Sequence, residues 1–282
     1  MLNIKNTQNL FIRNLSLSFF QFSGTQFASN TEINYNLKFK KHAVVIGLDA
    51  RYDRFIDNTK DSFAQNLSYS FLIIGSFLQY TYSPTARTHL EAGFRLDYNR
   101  PYNVFPLPCV ALSHQWTNTF STRTGGGMGY KLPTVFQDES EEARYINVGL
   151  SPGIKPELSL GGTLDLTMKL PALNGVLITM KQLYFATRIF RPVVANQQQV
   201  ICPTGVCQEI RYNNGNGFQQ SIGIENNFNL QYRGLNLSFV YTLTDNNLRL
   251  NNIRSIAPLT SKHIISLFAE YSYKGFSAGV DA

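Results

Sequence analysis

The residues most able to do chemistry gather at two places. Asp138, Glu139, Glu141 and Glu142 form an acidic run; in a loop on the extracellular side it would either be simply solvated or contact a cationic or metal-bearing ligand. Cys202 and Cys207 flank Pro203 and Gly205, a spacing that allows a disulfide to close a loop in an oxidising compartment. No histidine lies near them, which disfavours a metal site. His42, His89, His114 and His263 are scattered, and Cys109 reads as a small apolar residue on a strand. Gly125 to Gly129 leads into an irregular stretch rather than a helix, so it lacks the context of a phosphate-binding loop. No nucleophile, base and orienting group recur at a catalytic spacing. The expectation is a chain that is not an enzyme and carries no cofactor and no metal.

The elements around these residues repeat one pattern, a run of alternating apolar and polar residues. From His89 to Asn99, Leu90, Ala92, Phe94, Leu96 and Tyr98 alternate with Glu91, Gly93, Arg95, Asp97 and Asn99. From Glu157 to Leu170 a leucine-rich set alternates with Glu157, Ser159, Gly161, Thr163, Asp165, Thr167 and Lys169, and Leu235 to Leu243 repeats the pattern. Strands of a soluble sandwich are usually ~5 to 6 residues long, whereas a tilted strand crossing a bilayer needs ~9 to 11. These runs fit the second case, with apolar side chains toward lipid and polar ones toward a wet lumen. By pleat parity Glu91, Arg95, Asp97, Glu157, Asp165 and Glu225 then face the lumen.

Strands are expected near 8–22, 31–40, 42–54, 67–82, 88–99, 107–117, 119–131, 156–170, 176–190, 217–232, 234–245, 263–274 and from 276. The connections alternate between short ones (41, 83–87, near 118, 171–175, 233, 274–275) and longer ones (23–30, 55–66, 100–106, 132–155, 191–216, 246–262). Outer-membrane barrels show this asymmetry, with short periplasmic turns and long extracellular loops. Tyr80 and Tyr82, and Tyr271 and Tyr273, precede short turns where an aromatic girdle is expected.

Composition agrees. Only 15% of the 282 residues are charged while 13% are aromatic, and mean hydropathy is −0.15. The longest apolar run is far too short for a transmembrane helix. The net charge of +7 is spread over many strands rather than concentrated, so a nucleic-acid partner is not indicated. Anionic lipid headgroups or an anionic substrate account for the charge equally well.

Several motifs carry a family resemblance. The strand pair Gly75 to Pro84 and Leu90 to Asn99 is followed by Gly125-Gly-Gly-Met-Gly-Tyr-Lys-Leu-Pro-Thr134, an acidic loop, and Ile154-Lys-Pro-Glu157. Further on come Gly217 to Glu225, Tyr232-Arg-Gly-Leu235, Tyr241-Thr-Leu-Thr-Asp245 and Pro258-Leu-Thr-Ser-Lys-His263. In this order they resemble the barrel of TonB-dependent outer-membrane receptors, over about residues 67 to 282. Leu107-Pro-Cys109 departs from the family's Pro-Arg pair, so no role of that Arg is carried over.

The resemblance implies an all-β, antiparallel transmembrane barrel in the bacterial outer membrane. The family's barrel has about 22 strands closed by an N-terminal plug; about thirteen are legible here, and no plug is recognisable. The chain is therefore expected to be one partial barrel domain spanning 1–282, with roughly six strands before it and three after by analogy with that count. Its start shows no apolar leader segment. The implied function is energy-coupled uptake of a scarce substrate such as a ferric siderophore, cobalamin or an oligosaccharide. Its partners would be outer-membrane lipid, that small-molecule substrate and, through a plug outside this chain, the TonB complex. Alternatives are a passive porin-like channel and a non-functional truncated remnant.

Overall fold

The computed structural model describes residues 1–17, 20–59, 66–136, 147–170, 175–202, 205–257 and 260–282, with backbone alone for Leu17, Phe20, Val200 to Cys202 and Gly205 to Cys207. Among the described residues all regular structure is strand. The first seven are β1 (Leu2–Leu17), β2 (Phe20–Phe39), β3 (His42–Asp57), β4 (Tyr69–Thr85), β5 (Thr88–Asn99), β6 (Asn103–Gln115) and β7 (Phe120–Lys131). Then come β8 (Val148–Leu150), β9 (Glu157–Leu170), β10 (Val176–Phe190), β11 (Val193–Cys202), β12 (Gly205–Asn214), β13 (Gly217–Tyr232) and β14 (Leu235–Leu250). β15 (Ile253–Ile256), β16 (His263–Tyr273) and β17 (Phe276–Asp281) complete the chain.

The main sheet runs β1-β2-β3-β4-β5-β6-β7-β9-β10-β13-β14-β16-β17, every neighbour antiparallel, with β15 attached to β14. β1 and β17 stand at its two ends, so it is a partial barrel wall and not a closed one among the described residues. β11, β12 and β8 form a separate small sheet in which β8 runs parallel to β12.

Short turns are set by local chemistry. Arg233 and Gly234, and Lys274 and Gly275, both have positive φ at both positions. This is the two-residue turn whose twist matches its flanking strands. Asn251 and Asn252 do the same between β14 and β15, using the tolerance of Asn for that region.

The expected strands form from residue 31 onward, but the expected strand 8–22 is divided between β1, which ends at Leu17, and β2, which starts at Phe20 and pairs antiparallel with it; two expected loops are also strand. Residues 23–30 are strand, paired with β1 from Asn14 to Thr7 and with β3 from Asp57 to Arg51. Likewise β6 begins at Asn103, leaving only Arg100 to Tyr102 as a turn. Three of the other long connections carry structure of their own: β8 within 132–155, the β11–β12 hairpin within 191–216, and the end of β14 with β15 within 246–262. The reason lies in strand length. β2 has 20 residues, about 66 Å at ~3.3 Å per residue, well beyond what a tilted strand needs to cross ~30 Å of hydrocarbon. Beyond that length the strict alternation disappears from the sequence, and the hydrogen-bonded ladder continues.

Register sorts the two faces cleanly. One carries Ile46, Leu48, Leu72, Ile74, Leu78, Phe94, Val110, Leu160, Phe239 and Leu267, all well exposed. That is the reverse of a water-soluble core, where such side chains are buried. Toward the long-loop end the same face becomes mixed, with Thr31 on β2, Arg54 on β3, Arg188 on β10 and Asp245 on β14 beside the exposed Leu10, Ile12, Phe27 and Ile222. The short-turn edge is aromatic, with His42 stacked on Tyr80 and Tyr82, and Tyr271, Tyr273 and Phe276 exposed. The opposite face is polar, relieved by rings lying over glycines directly across the ladder, Phe77 over Gly47 and Phe185 over Gly223.

Buried apolar packing sits at the long-loop end of the polar face. Phe22, Phe55, Leu67, Val135, Val148 and Tyr212 form one cluster, so strand ends, the segment after β7 and the small sheet share a single core. Phe136 meets Phe55 edge-on at 4.6 Å.

Candidate functional site

The polar face is built around β3, β4 and β5. Asp49 is opposite Gly75, which is opposite Asp97, while Arg51 and Arg95 lie two residues to either side on the outer strands. Because Gly75 has no side chain, the four charged groups close over it. Arg51 Nη2 reaches Asp97 Oδ2 at 2.6 Å and its Nε reaches Asp49 Oδ2 at 3.2 Å. Arg95 Nε lies 2.7 Å from Asp97 Oδ1, and its Nη2 donates to Asp49 Oδ1. The carboxylates are buried, at 4% and 0% side-chain exposure, while Arg51 and Arg95 retain 41% and 27%. A Cβ at position 75 would fall inside contact distance of Asp49 Oδ1, Asp97 and Arg95.

A fifth member comes from farther away. Tyr130, near the end of β7, donates its hydroxyl to Asp97 Oδ2 at 2.8 Å and stacks parallel on Phe105 of β6, with ring centroids 4.0 Å apart. The cause is a split in the sheet. β6 and β7 pair only from Cys109 with Gly127 to Gln115 with Ser121, although β6 pairs with β5 along its whole length. Pro106 and Pro108, two residues apart, remove donors from the edge facing β7. Released there, β7 swings over the polar face and delivers Leu132, Thr134 and Phe136 to an open cavity of about 420 Å³ with Gln26, Arg51, Asp53 and Tyr69. In the nearby turn, burial pushes the Tyr102 phenol above its ordinary pKa.

Of the residues expected from the sequence, Glu91, Arg95, Asp97, Glu157, Asp165 and Glu225 all lie on this polar face by register. Only Arg95 and Asp97 meet. Glu91 is 4.0 Å from Arg123, and Asp165 accepts a hydrogen bond from Thr167. Glu157 accepts from the backbone N–H of Val193 and so ties β9 to the start of the β11–β12 hairpin. Glu225 stands between Leu183 and Thr242. Asp138, Glu139, Glu141 and Glu142 lie outside the described residues. Cys202 and Cys207 are backbone partners of Gly205 and Val200, and their side chains lie outside the described residues. Cys109 is on β6, on the polar face between Gly93 and Gly127.

Each histidine ring has a hydroxyl within hydrogen-bond distance: His42 Tyr80, His89 Ser83, His114 Thr88 and His263 Tyr241. Among the described residues no three His, Cys, Asp or Glu side chains converge as a metal site would require.

Asp49, Arg51, Gly75 and Tyr130 were missed in the sequence. The alternation of Ile46, Leu48, Ala50 and Tyr52 with Gly47, Asp49, Arg51 and Asp53 carried the signal for the first two. Nothing local announces Tyr130.

Long antiparallel strands with one exposed apolar face and one charge-paired face define the wall of a membrane β-barrel. The chain belongs to the TonB-dependent receptor family: residues 3–281 match its beta-barrel domain, described as TonB dependent receptor-like, beta-barrel. Comparison with curated proteins finds no match. Among solved structures, the siderophore receptor PirA of Acinetobacter baumannii is similar at 16% identity and a TM-score of 0.65, over 96% of this chain and 45% of that one. A mutant ferric enterobactin receptor, PfeA of Pseudomonas aeruginosa, in complex with enterobactin gives 15%, 0.67, 99% and 46%. The hemophore receptor HasR of Serratia marcescens, a double mutant with its hemophore HasA and heme, gives 12%, 0.66, 99% and 58%. The chain thus spans about half the length of these receptors.

Proposed function

We propose that this chain is part of the wall of an outer-membrane receptor that imports a scarce substrate by coupling to the TonB complex. The observation that carries the reading is the segregation of faces in a chain of this family: an exposed apolar face suited to lipid, and a polar face whose charges are held in a fixed network. On this reading Glu91, Arg95, Asp97, Glu157, Asp165 and Glu225 line the lumen, where they meet a plug and, as it moves, the substrate. The acidic run Asp138, Glu139, Glu141 and Glu142 contacts ligand outside the cell, and a Cys202–Cys207 disulfide holds its neighbouring hairpin. The matched structures include receptors for ferric enterobactin and for a heme-carrying hemophore, so iron chelates and heme are the first substrates to test.

The test is uptake. Deleting the gene that encodes the chain should abolish accumulation of one labelled iron chelate or heme, and the same loss should follow from dissipating the proton gradient. Uptake of every tested substrate unchanged by the deletion would overturn the reading. Uptake that depends on the gene but survives loss of the gradient would assign a passive channel instead.

A further inference from the structure

The polar face carries a second group of charges that the Asp49–Arg51–Arg95–Asp97 network does not use. At the short-turn end, β5, β6, β7, β9 and β10 line an open cavity of about 620 Å³ holding Arg87, Arg123, Lys169 and Lys181 against Glu91 and Asp165. Register brings the cations together from separate strands. Arg123 on β7 is across from Asp165 on β9, Ser121 is across from Thr167, and Thr167 is across from Lys181 on β10. Lys169 follows two residues along β9.

These charges are not closed on one another. Arg123 is 68% exposed and only approaches Glu91, at 4.0 Å. Asp165 is engaged by the Thr167 hydroxyl at 2.9 Å. Among the described residues, Arg87, Lys169 and Lys181 have no carboxylate partner. Unpaired like charges on one wall repel each other, and an anion with more than one charge offsets that repulsion at several points at once. Lysines supply rotatable point charges and an arginine a planar fork, the combination suited to phosphate and carboxylate oxygens.

We propose that this cavity binds a small, multiply charged oxyanion, polyphosphate or polycarboxylate, with Arg123, Lys169 and Lys181 as its charged contacts and Ser121 as a hydroxyl donor. The volume is that of a small-molecule site. Glu91 and Asp165 bound it toward the long-loop end, where an acidic polypeptide running along the strands would meet them. The inference goes beyond import and requires only that the polar face be wetted.

The experiment is calorimetric titration of the full chain, folded in detergent, with inorganic pyrophosphate and separately with tricarballylate. Saturable binding on the order of millimolar or tighter is expected for at least one of the two, and which one binds separates a phosphate ligand from a carboxylate ligand. The double substitution Lys169→Gln with Lys181→Gln should weaken it roughly tenfold. Lys274→Gln, at a distant hairpin turn, should leave it unchanged. Circular dichroism of each variant establishes that it has folded, and Lys169→Gln alone serves if the double variant has not. Equal affinity in the wild type and the lysine variants overturns the proposal, as does the absence of saturable binding by both anions. Binding of an oligoglutamate peptide while both small anions stay silent overturns it in favour of a polypeptide ligand.

Discussion

Tyr130 and Asp97 are joined by a 2.8 Å hydrogen bond although they belong to β7 and β5, strands kept apart by β6. The contact exists because β7 parts from β6 after Gly127 while staying paired with β9 to Lys131, and it ties the base of the loop after β7 to the charge network on the wall.

Tyr130→Phe should keep the stacking on Phe105 and lose only the hydroxyl. A hydrogen bond to a charged, buried acceptor is worth about 1.5 to 3 kcal/mol, and Asp97 keeps both arginines, so the lower end of that range is expected. Tyr130→Ala should cost more because the ring contact goes as well. Urea unfolding in detergent reads both, and equal losses would mean that the hydroxyl does all the holding.

Gly75→Ala should disrupt the network from beneath, since the added methyl would press on Asp49, Asp97 and Arg95. Overpacking of this kind costs about 1 to 3 kcal/mol. Gly162→Ala, whose Cβ would meet only Gly125 O at 3.4 Å, is the matched comparison. A melting temperature unchanged in Gly75→Ala would show that the four charges can spread without loss.

Asp97→Asn should leave Arg51 and Arg95 facing a single carboxylate. Breaking a buried ion pair by removing one partner costs about 3 to 5 kcal/mol, reduced here to roughly 2 to 4 because both guanidinium groups keep access to water. A double-mutant cycle with Arg95→Gln should return a coupling well above zero; additivity would mean that the two do not interact energetically.

Leu48→Arg and Phe94→Arg place a charge on the exposed apolar face. Each should lower the yield of folding into lipid vesicles, at about 2 to 4 kcal/mol if the site lies near the bilayer midplane. Ser221→Arg, on the polar face, should be far milder. Equal yields for all three would contradict the assignment of the faces.

Orientation can be checked on intact cells. Cysteines introduced at Ala86 and Lys274, in the short turns, should resist a membrane-impermeant maleimide, whereas one at Gln197, in the β11–β12 hairpin, should react. The opposite pattern would invert the topology.

Much of this wall was readable from alternation alone. From Leu90 to Asn99 and from Leu158 to Leu170 each residue's face follows from period two, because within the hydrocarbon band the two sides of a strand have unlike surroundings. The alternation fails at residues 23–30, where the apolar side carries Ser23, Thr25 and Ser29 and the polar side packs Gly24 under Phe55, while β2 continues. It also fails at Asn103 to Pro106, where Pro106, with Pro108 just beyond, resembles a loop yet sits on an edge that needs no donor. Asp97 and Arg95 were legible as polar-face residues, but their closure with Asp49 and Arg51 depends on register between strands about 46 positions apart. Tyr130 depends on a departure from register, which no periodic pattern encodes.

The prolines of β6 also bear on how the wall carries load. A sheet resists sliding of one strand past another through its rungs, and between β6 and β7 the rungs stop at Cys109 and Gly127. Above that point any shear must pass through side chains, the Phe105–Tyr130 stack and the Tyr130–Asp97 hydrogen bond. This stretch is therefore the most compliant seam between β5 and β9, and a pull on the loop after β7 would be shared between the β7–β9 rungs, which reach Lys131 and Glu157, and the buried carboxylate of Asp97.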